Sequence, residues 1–488
     1  MQAVFDYLKE NQTRFVRELC DYIRFPSVSA QPQHKADLEA CAGWLKNHCE
    51  QIGLVARVVE TAGNPVVLAQ TPRRQLNNSG PLPPKAPLTL GPESLGRRGF
   101  GGRGRVLLRR PHYVVYGHYD VQPAEPFELW KSPPFAPRIE GHRLYGRGAC
   151  DNKGQNFAHL KAVEAYLKTG TELPCDLSFV IEGEEEVGCR SLPSFLKKHR
   201  DQLRCEAVVI SDTGMPSLQH PALTYALRGI AALEIKLDGP SRDLHSGIYG
   251  GTLDNPAMAL SQMLAKLRDQ QGRITIPHFY DDVIPLSTYE RRQLARLPFN
   301  ERAYKKFLGV PKLFGERGCT PIEQRSARPT LEINGLTSGY QGEGSKTIVP
   351  AWASAKLTLR LVPNQTPARI QKLVSQHLRK ICPPTVRLTI TPGHGGEPYW
   401  VSPKSSKAAA ALRALKSAFG REPVLLREGG SIPIVTEFKK ILRADSLMLG
   451  LALPDDNPHS PNEKFDLECF RKGMLMSAHL WQELAQAG

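Results

Sequence analysis

Four short apolar runs in this chain each lead into a residue able to bind a metal ion. Tyr113-Val114-Val115-Tyr116 runs into Gly117-His118-Tyr119-Asp120, and Leu177-Ser178-Phe179-Val180-Ile181 into Glu182-Gly183-Glu184-Glu185-Glu186. Ala207-Val208-Val209-Ile210 runs into Ser211-Asp212, and the run from Leu447 to Leu453 enters a loop that reaches His459. Apolar runs of this length, bounded by glycine and polar residues, predict buried strands. Open α/β sheets bind ligands beyond the carboxyl ends of their strands. His, Glu, Asp and His at four such ends therefore point to one polar site.

At 488 residues the chain exceeds what one core organises, so two domains are expected. No apolar stretch reaches the length of a membrane span, and residues 1–14 lack the apolar centre of a signal peptide. A cytoplasmic location with no membrane partner is the expectation. Ten scattered cysteines, none in a C-x-x-C pair, read as reduced, mostly buried thiols. The net charge of +16 raises nucleic acid as a partner. Its distribution argues against that reading, because residues 71–112 hold nine basic side chains and one acidic one, half of the net charge. That stretch is rich in Pro and Gly and is predicted to be a disordered, solvated insertion.

Periodicity divides the rest. Leu38, Cys41, Ala42, Leu45, Cys49 and Ile52 predict a helix capped at Gly53. A strand at residues 64–69 and a helix at 156–168 continue an alternating α/β pattern up to Asp212. The texture then changes. Residues 233–238 and 355–361 alternate strictly as half-exposed strands do, with helices expected from Asn255-Pro256 and over 367–381, and a further strand at 387–391. The α/β pattern returns after about Pro398. The expected organisation is a catalytic domain of 1–217 and 395–488, with a small α+β sandwich of 218–394 inserted into it.

The chemistry is carried by the joint pattern, since any single His or Asp here could equally be a helix cap or surface residue. His118 and Asp120 form an H-x-D pair whose side chains can be neighbours, the carboxylate fixing the imidazole tautomer. Asp151 follows Tyr145-Gly146-Arg147-Gly148, where glycines suit close backbone approach. Three adjacent acids, Glu184-Glu185-Glu186, repel one another without a cation, and such neighbours can divide into a ligand and a general base. Mixed His and carboxylate ligands suit zinc or a similar divalent ion, and an acid-rich set suits two ions sharing a carboxylate.

Read together, Gly117-His118-Tyr119-Asp120-Val121-Gln122-Pro123, Tyr145-Gly146-Arg147-Gly148-Ala149-Cys150-Asp151-Asn152-Lys153-Gly154, Glu182-Gly183-Glu184-Glu185-Glu186-Val187-Gly188, Ser211-Asp212, Asp243-Leu244-His245-Ser246-Gly247, Arg427-Glu428-Gly429-Gly430-Ser431-Ile432-Pro433 and His459-Ser460-Pro461-Asn462-Glu463 carry a resemblance. The chain resembles the M20 metallopeptidases, specifically their carnosinase-like dipeptidase branch. The resemblance implies a phosphorylase/hydrolase-like α/β catalytic domain with an inserted lid and dimerisation domain, acting as a homodimer on small peptides. It implies two divalent ions, zinc first, with manganese or cobalt as alternatives. His118, Asp151 and Asp212 would hold one, Asp151, Glu186 and His459 the other. Glu185 would be the general base, Asp120 would orient His118, and His245 would stabilise the oxyanion, in this family typically from the partner subunit. Thr347 and Arg360 would meet the substrate's carboxylate end, Glu428 and Ser431 its amino end. A cis peptide is expected at Asp151–Asn152. Cys150 and Cys189 stand where many relatives have Ser or Thr, and are expected to adjoin the metal ligands and to be open to oxidation or stray metal. An N-acyl amino acid deacylase or desuccinylase, a non-catalytic scaffold and an RNA-binding role for residues 71–112 are the rival readings. A serine hydrolase is disfavoured, because Ser431 sits in G-x-S-x-P and not in a G-x-S-x-G elbow.

Overall fold

The computed structural model describes residues 1–72, 110–430 and 432–487. The expected disorder of the basic insertion, and the position of Ser431, lie outside the described residues.

The four ligand-bearing runs become four adjacent parallel strands. Asp176–Glu182 pairs with His112–His118, which pairs with Ala207–Ile210, which pairs with Asp445–Gly450. Tyr116 lies opposite Val180 on one side and Ile210 on the other, and Ile210 lies opposite Met448. The carboxyl ends are therefore level to within a few residues. Nearly every residue of these strands is buried, as expected where helices cover both faces. The helices Gln155–Thr169 and Leu467–Ala485 pack together over the sheet. Val55–Val59 and Val66–Gln70 extend it antiparallel at one edge, Ala222–Leu227 and Tyr399–Trp400 at the other, and Val424–Glu428 runs parallel to Ala222–Leu227.

A second core forms around a four-stranded antiparallel sheet in the order Thr330–Ser338, Trp352–Leu361, Gly229–Asp238, Arg387–Gly396. Gly229–Asp238 and Trp352–Leu361 bury alternate side chains. Leu233, Ile235, Leu237, Leu357 and Leu359 meet Leu260 and Met263 of the helix Pro256–Ala265, and Ile370, Val374 and Leu378 of the helix Pro367–Ile381. Asn255 Oδ1 accepts the Ala257 N–H at 2.9 Å, the cap expected there. Ala222–Leu227 lies beyond the boundary expected at 217/218, yet pairs within the large sheet. The chain crosses to the second sheet only at Gly229.

The insertion does not disturb the strand that follows it. Pairing begins at His112 opposite Asp176. The His112 ring bonds to the Arg204 carbonyl at 2.7 Å and to Ser178 Oγ at 2.8 Å, so a polar residue is satisfied at this strand's start.

Because the two cores are separate clusters, Leu357→Ala should cost about 2–5 kcal/mol in a denaturant melt of the metal-free protein. Its metal stoichiometry should be unchanged. Loss of metal binding in that variant would show that the inserted core also shapes the site.

Candidate metal centre

Asp151 is placed by an irregular turn, Ala149–Gly154, lodged between a short strand and the helix Gln155–Thr169. Gly148 enters it with φ +84, and a Cβ there would lie 2.5 Å from Val121 Cγ1, so a side chain is excluded both by conformation and by space. The Asp151–Asn152 peptide is cis, as expected. The Asn152 side-chain Nδ2 donates to the Ser211 carbonyl at 2.6 Å and to Asp212 Oδ1 at 2.9 Å, tying this turn to the end of the neighbouring strand.

The Asp151 carboxylate faces two imidazoles at once. Oδ1 is 3.2 Å from His118 Nε2, and Oδ2 is 2.9 Å from His459 Nε2. His118 Nε2 is 3.8 Å from Asp212 Oδ2, and His459 Nε2 is 3.3 Å from Glu186 Oε2. The structure thus brings together His118, Asp151 and Asp212 as one triad and Asp151, Glu186 and His459 as another, with Asp151 in both.

Asp120 sits behind the first triad, fully buried. Its Oδ1 lies 3.4 Å from His118 Nδ1, while its own carbonyl is nearer, at 3.0 Å. A proton on Nδ1 leaves the Nε2 lone pair facing Asp151 and Asp212. The Asp120 carboxylate also accepts the N–H groups of Glu185 at 3.3 Å and Glu186 at 3.1 Å. It therefore holds both the first histidine and the turn that carries the acids. The acidic triplet divides accordingly. Glu184 turns inward to the Ser191 N–H at 3.0 Å, and Glu186 joins the second triad, where Gln122 Nε2 donates to its Oε2 at 2.8 Å. Glu185 is left half-buried among His118, Asp212, Glu186 and Asp151.

The electrostatics of this set are those of a cation site. Burial and then the surrounding carboxylates push Glu185 well above the usual carboxylate range, and burial raises Glu186 and Asp212 as well. Burial also opposes the ionisation of Asp151, but hydrogen bonds from His118 and His459 outweigh it and hold its carboxyl far down. Hydrogen bonds to Asp151 and Glu186 lift His459 to about 10, and those to Asp120, Asp151 and Asp212 lift His118 in spite of its burial. Two imidazolium charges are thus stabilised where ligand atoms converge. Glu186 Oε1 is buried without a hydrogen-bond partner among the described residues. An orphan carboxylate oxygen, a shared carboxylate and mixed N/O donors fit two divalent cations. A third acid–histidine group, Glu18, His48 and Glu164, does not. Lys161 Nζ already fills it, at 2.5 Å from Glu18, 2.7 Å from His48 and 2.8 Å from Glu164.

The substrate-facing candidates fall into two groups. Glu428 ends the strand Val424–Glu428, and its carboxyl lies close to Gly214, two residues beyond Asp212. Its carbonyl takes the Arg228 N–H at 3.2 Å, and Arg228 lines a second-domain cavity together with Arg325, Arg328 and Arg360. His245 and Thr347 lie apart from these, on a two-stranded ribbon where Leu244–His245 pairs with Ile348–Val349 and the Thr347 carbonyl takes the Ser246 N–H. His245 is exposed, its ring accepting the Gly247 N–H at 3.0 Å. Neither His245 nor Thr347 hydrogen-bonds to the two triads among the described residues.

The expectation for the cysteines needs correction. Cys150 points to Asp456 Oδ2 at 3.4 Å and Cys189 lies against Tyr116, both buried and with thiols pushed upward by that burial. Both thiols are packed inside the fold, where burial disfavours the reactive thiolate. Gln122 and Asn152 lie within these motifs, but the sequence points to no role for either. Their contacts are made across strands, which spacing along the chain does not reveal.

The family model for peptidase family M20/M25/M40 matches residues 114–483. The chain belongs to that family. It is 33% identical to a Cys-Gly metallodipeptidase of Candida albicans, over 97% of this chain and 95% of the relative. It is 30% identical to human Beta-Ala-His dipeptidase, over 100% of this chain and 93% of the relative. Among solved structures, human carnosine dipeptidase 1 matches with a TM-score of 0.75 at 27% identity, covering 99% of this chain and 98% of that one. An M20 metallo-carboxypeptidase from Sulfolobus solfataricus matches with a TM-score of 0.78 at 29% identity, covering 97% and 99%.

Because metal must replace protons on the imidazoles, cation binding to this M20 chain should release protons. Affinity should climb as pH rises toward about 10, the value to which His459 is lifted. The sign for stability is opposite. The raised His459 stabilises the metal-free fold below its ordinary range, and that contribution is lost as pH rises through about 10. Calorimetry in buffers of different ionisation enthalpy measures both the affinity and the proton release. An affinity flat across this window, with no protons released, would contradict the charge state described.

Proposed function

We propose that this chain hydrolyses dipeptides or similarly short peptides at a two-metal centre, with Glu185 as the general base. The observation that carries this reading is the single Asp151 carboxylate placed between two complete ligand triads. Relatives named Cys-Gly metallodipeptidase and Beta-Ala-His dipeptidase, alike over nearly the whole chain, support the dipeptide class. Zinc suits the mixed imidazole and carboxylate donors best, with manganese or cobalt as alternatives.

His118, Asp151 and Asp212 would hold one ion, and Asp151, Glu186 and His459 the other. When bound, the ions supply Lewis acidity to the scissile carbonyl and lower the pKa of water. Glu185 takes a proton from the attacking water and delivers it to the leaving amine. Asp120 keeps His118 in one tautomer and the Glu185–Glu186 turn in place. Glu428 is a carboxylate near the Asp212 loop, suited to a free substrate amine, which favours peptides over N-acyl amino acids. Arg360 would face the substrate's carboxylate, and Ser431 would sit beside its amino end.

The exposed ribbon bearing His245 and Thr347 fits a homodimer in which each subunit completes its partner's site. His245 of the partner subunit would then donate to the oxyanion. Ten unpaired cysteines suit a reducing compartment such as the cytoplasm.

Glu185→Gln is expected to keep both ions and to lose about 10²–10⁴-fold in turnover of a dipeptide panel. His245→Ala alone should also be severely impaired. Mixing and reassociating the two variants should restore about a quarter of wild-type activity, the statistical share of sites with both residues intact. Full activity in Glu185→Gln would remove the proposed base. Absence of recovery in the mixture, with heterodimers present, would place His245 outside the partner's site. Turnover of N-acyl amino acids in preference to dipeptides would move the assignment to the deacylases.

A further inference from the structure

Glu463 lies four residues after His459 and is fully buried. Its carboxylate accepts four N–H donors from the stretch that leads into the bridging aspartate. Oε1 takes the N–H groups of Cys150 at 2.9 Å and Asp151 at 3.0 Å. Oε2 takes the Gly148 N–H at 2.9 Å and Arg147 Nη1 at 2.7 Å. The Glu463 carbonyl accepts the Gly146 N–H at 3.0 Å, and Lys464 pairs opposite Tyr145. A buried carboxylate is costly unless donors surround it. Here three main-chain N–H groups and a guanidinium do so, and both oxygens are consumed by the protein itself. Glu463 is therefore no ligand, but it joins the segment bearing His459 to the turn bearing Asp151.

We propose that Glu463 is a positioning residue for the metal centre, holding the Asp151 main chain against the His459 loop so that one carboxylate can serve both triads. It acts through Asp151 and His459 and does not touch substrate. The proposal rests on the two-metal reading above, and its test separates the two.

The metal-stripped full-length chain is titrated with cobalt(II), followed by equilibrium dialysis and by visible d–d absorption, and its melting temperature is recorded. Glu463→Gln sets an amide NH₂ against N–H donors. It is expected to weaken cobalt binding about tenfold or more and to change the d–d spectrum. Glu463→Asp keeps the charge but is one methylene short, and should lose part of the affinity. Asn462→Ala is the control for simple loosening of the same loop. Asn462 accepts the Lys131 N–H and donates to the Leu129 carbonyl, both at 2.8 Å, and has no hydrogen bond to the 147–151 stretch. It should melt lower while keeping wild-type cobalt affinity and spectrum. Wild-type affinity and spectrum in Glu463→Gln would overturn the proposal, as would equal losses in Glu463→Gln and Asn462→Ala. If Glu463→Gln fails to fold, wild-type affinity in Glu463→Asp overturns it instead. A wild-type chain that binds no cobalt would fail the two-metal reading itself.

Discussion

One carboxylate shared between two imidazoles organises this molecule. Asp151 can reach His118 and His459 together only because its turn is fixed from several directions. Asn152 ties it to the Ala207–Ile210 strand end, and Glu463 ties it to the His459 loop. Each tie is a hydrogen bond to a main-chain group or to an already oriented side chain. That is how a buried acidic centre can be set before any cation arrives.

The fold supplies the rest by levelling four parallel strand ends. The acids and histidines that follow the strands are thereby delivered to one rim. Their mutual repulsion shows in how they titrate without metal: the carboxylates lift His118 and His459 above the ordinary imidazole range, and burial with the neighbouring acids lifts Glu185. Asp120 adds economy of a physical kind: one buried carboxylate bonds two successive N–H groups of the acidic turn and also lies beside His118.

What the sequence made legible follows from how local each signal is. The apolar strands could be read because both faces are buried, and the helices Lys35–Ile52 and Pro367–Ile381 because a glycine cap or an N-terminal proline marks an end. The two clusters that meet at Asp151 were legible through motifs that pack several polar residues into one short segment. The strand Ala222–Leu227 is not legible in the sequence, because its membership of the large sheet depends on pairing with Asp445–Gly450 more than two hundred residues later. Cys150 and Cys189 were expected to be reactive by their nearness to ligands in the chain, whereas burial among protein groups decides otherwise. The tasks of Asn152, Gln122 and Glu463 are equally non-local, written in contacts between segments.

The sharing of Asp151 has a direct spectroscopic consequence. X-ray absorption fine structure of the zinc-loaded protein should contain a metal–metal scattering shell at about 3.5–4 Å, the separation of carboxylate-bridged two-metal sites. A protein loaded with two ions whose spectrum holds only light-atom shells would contradict a bridging Asp151.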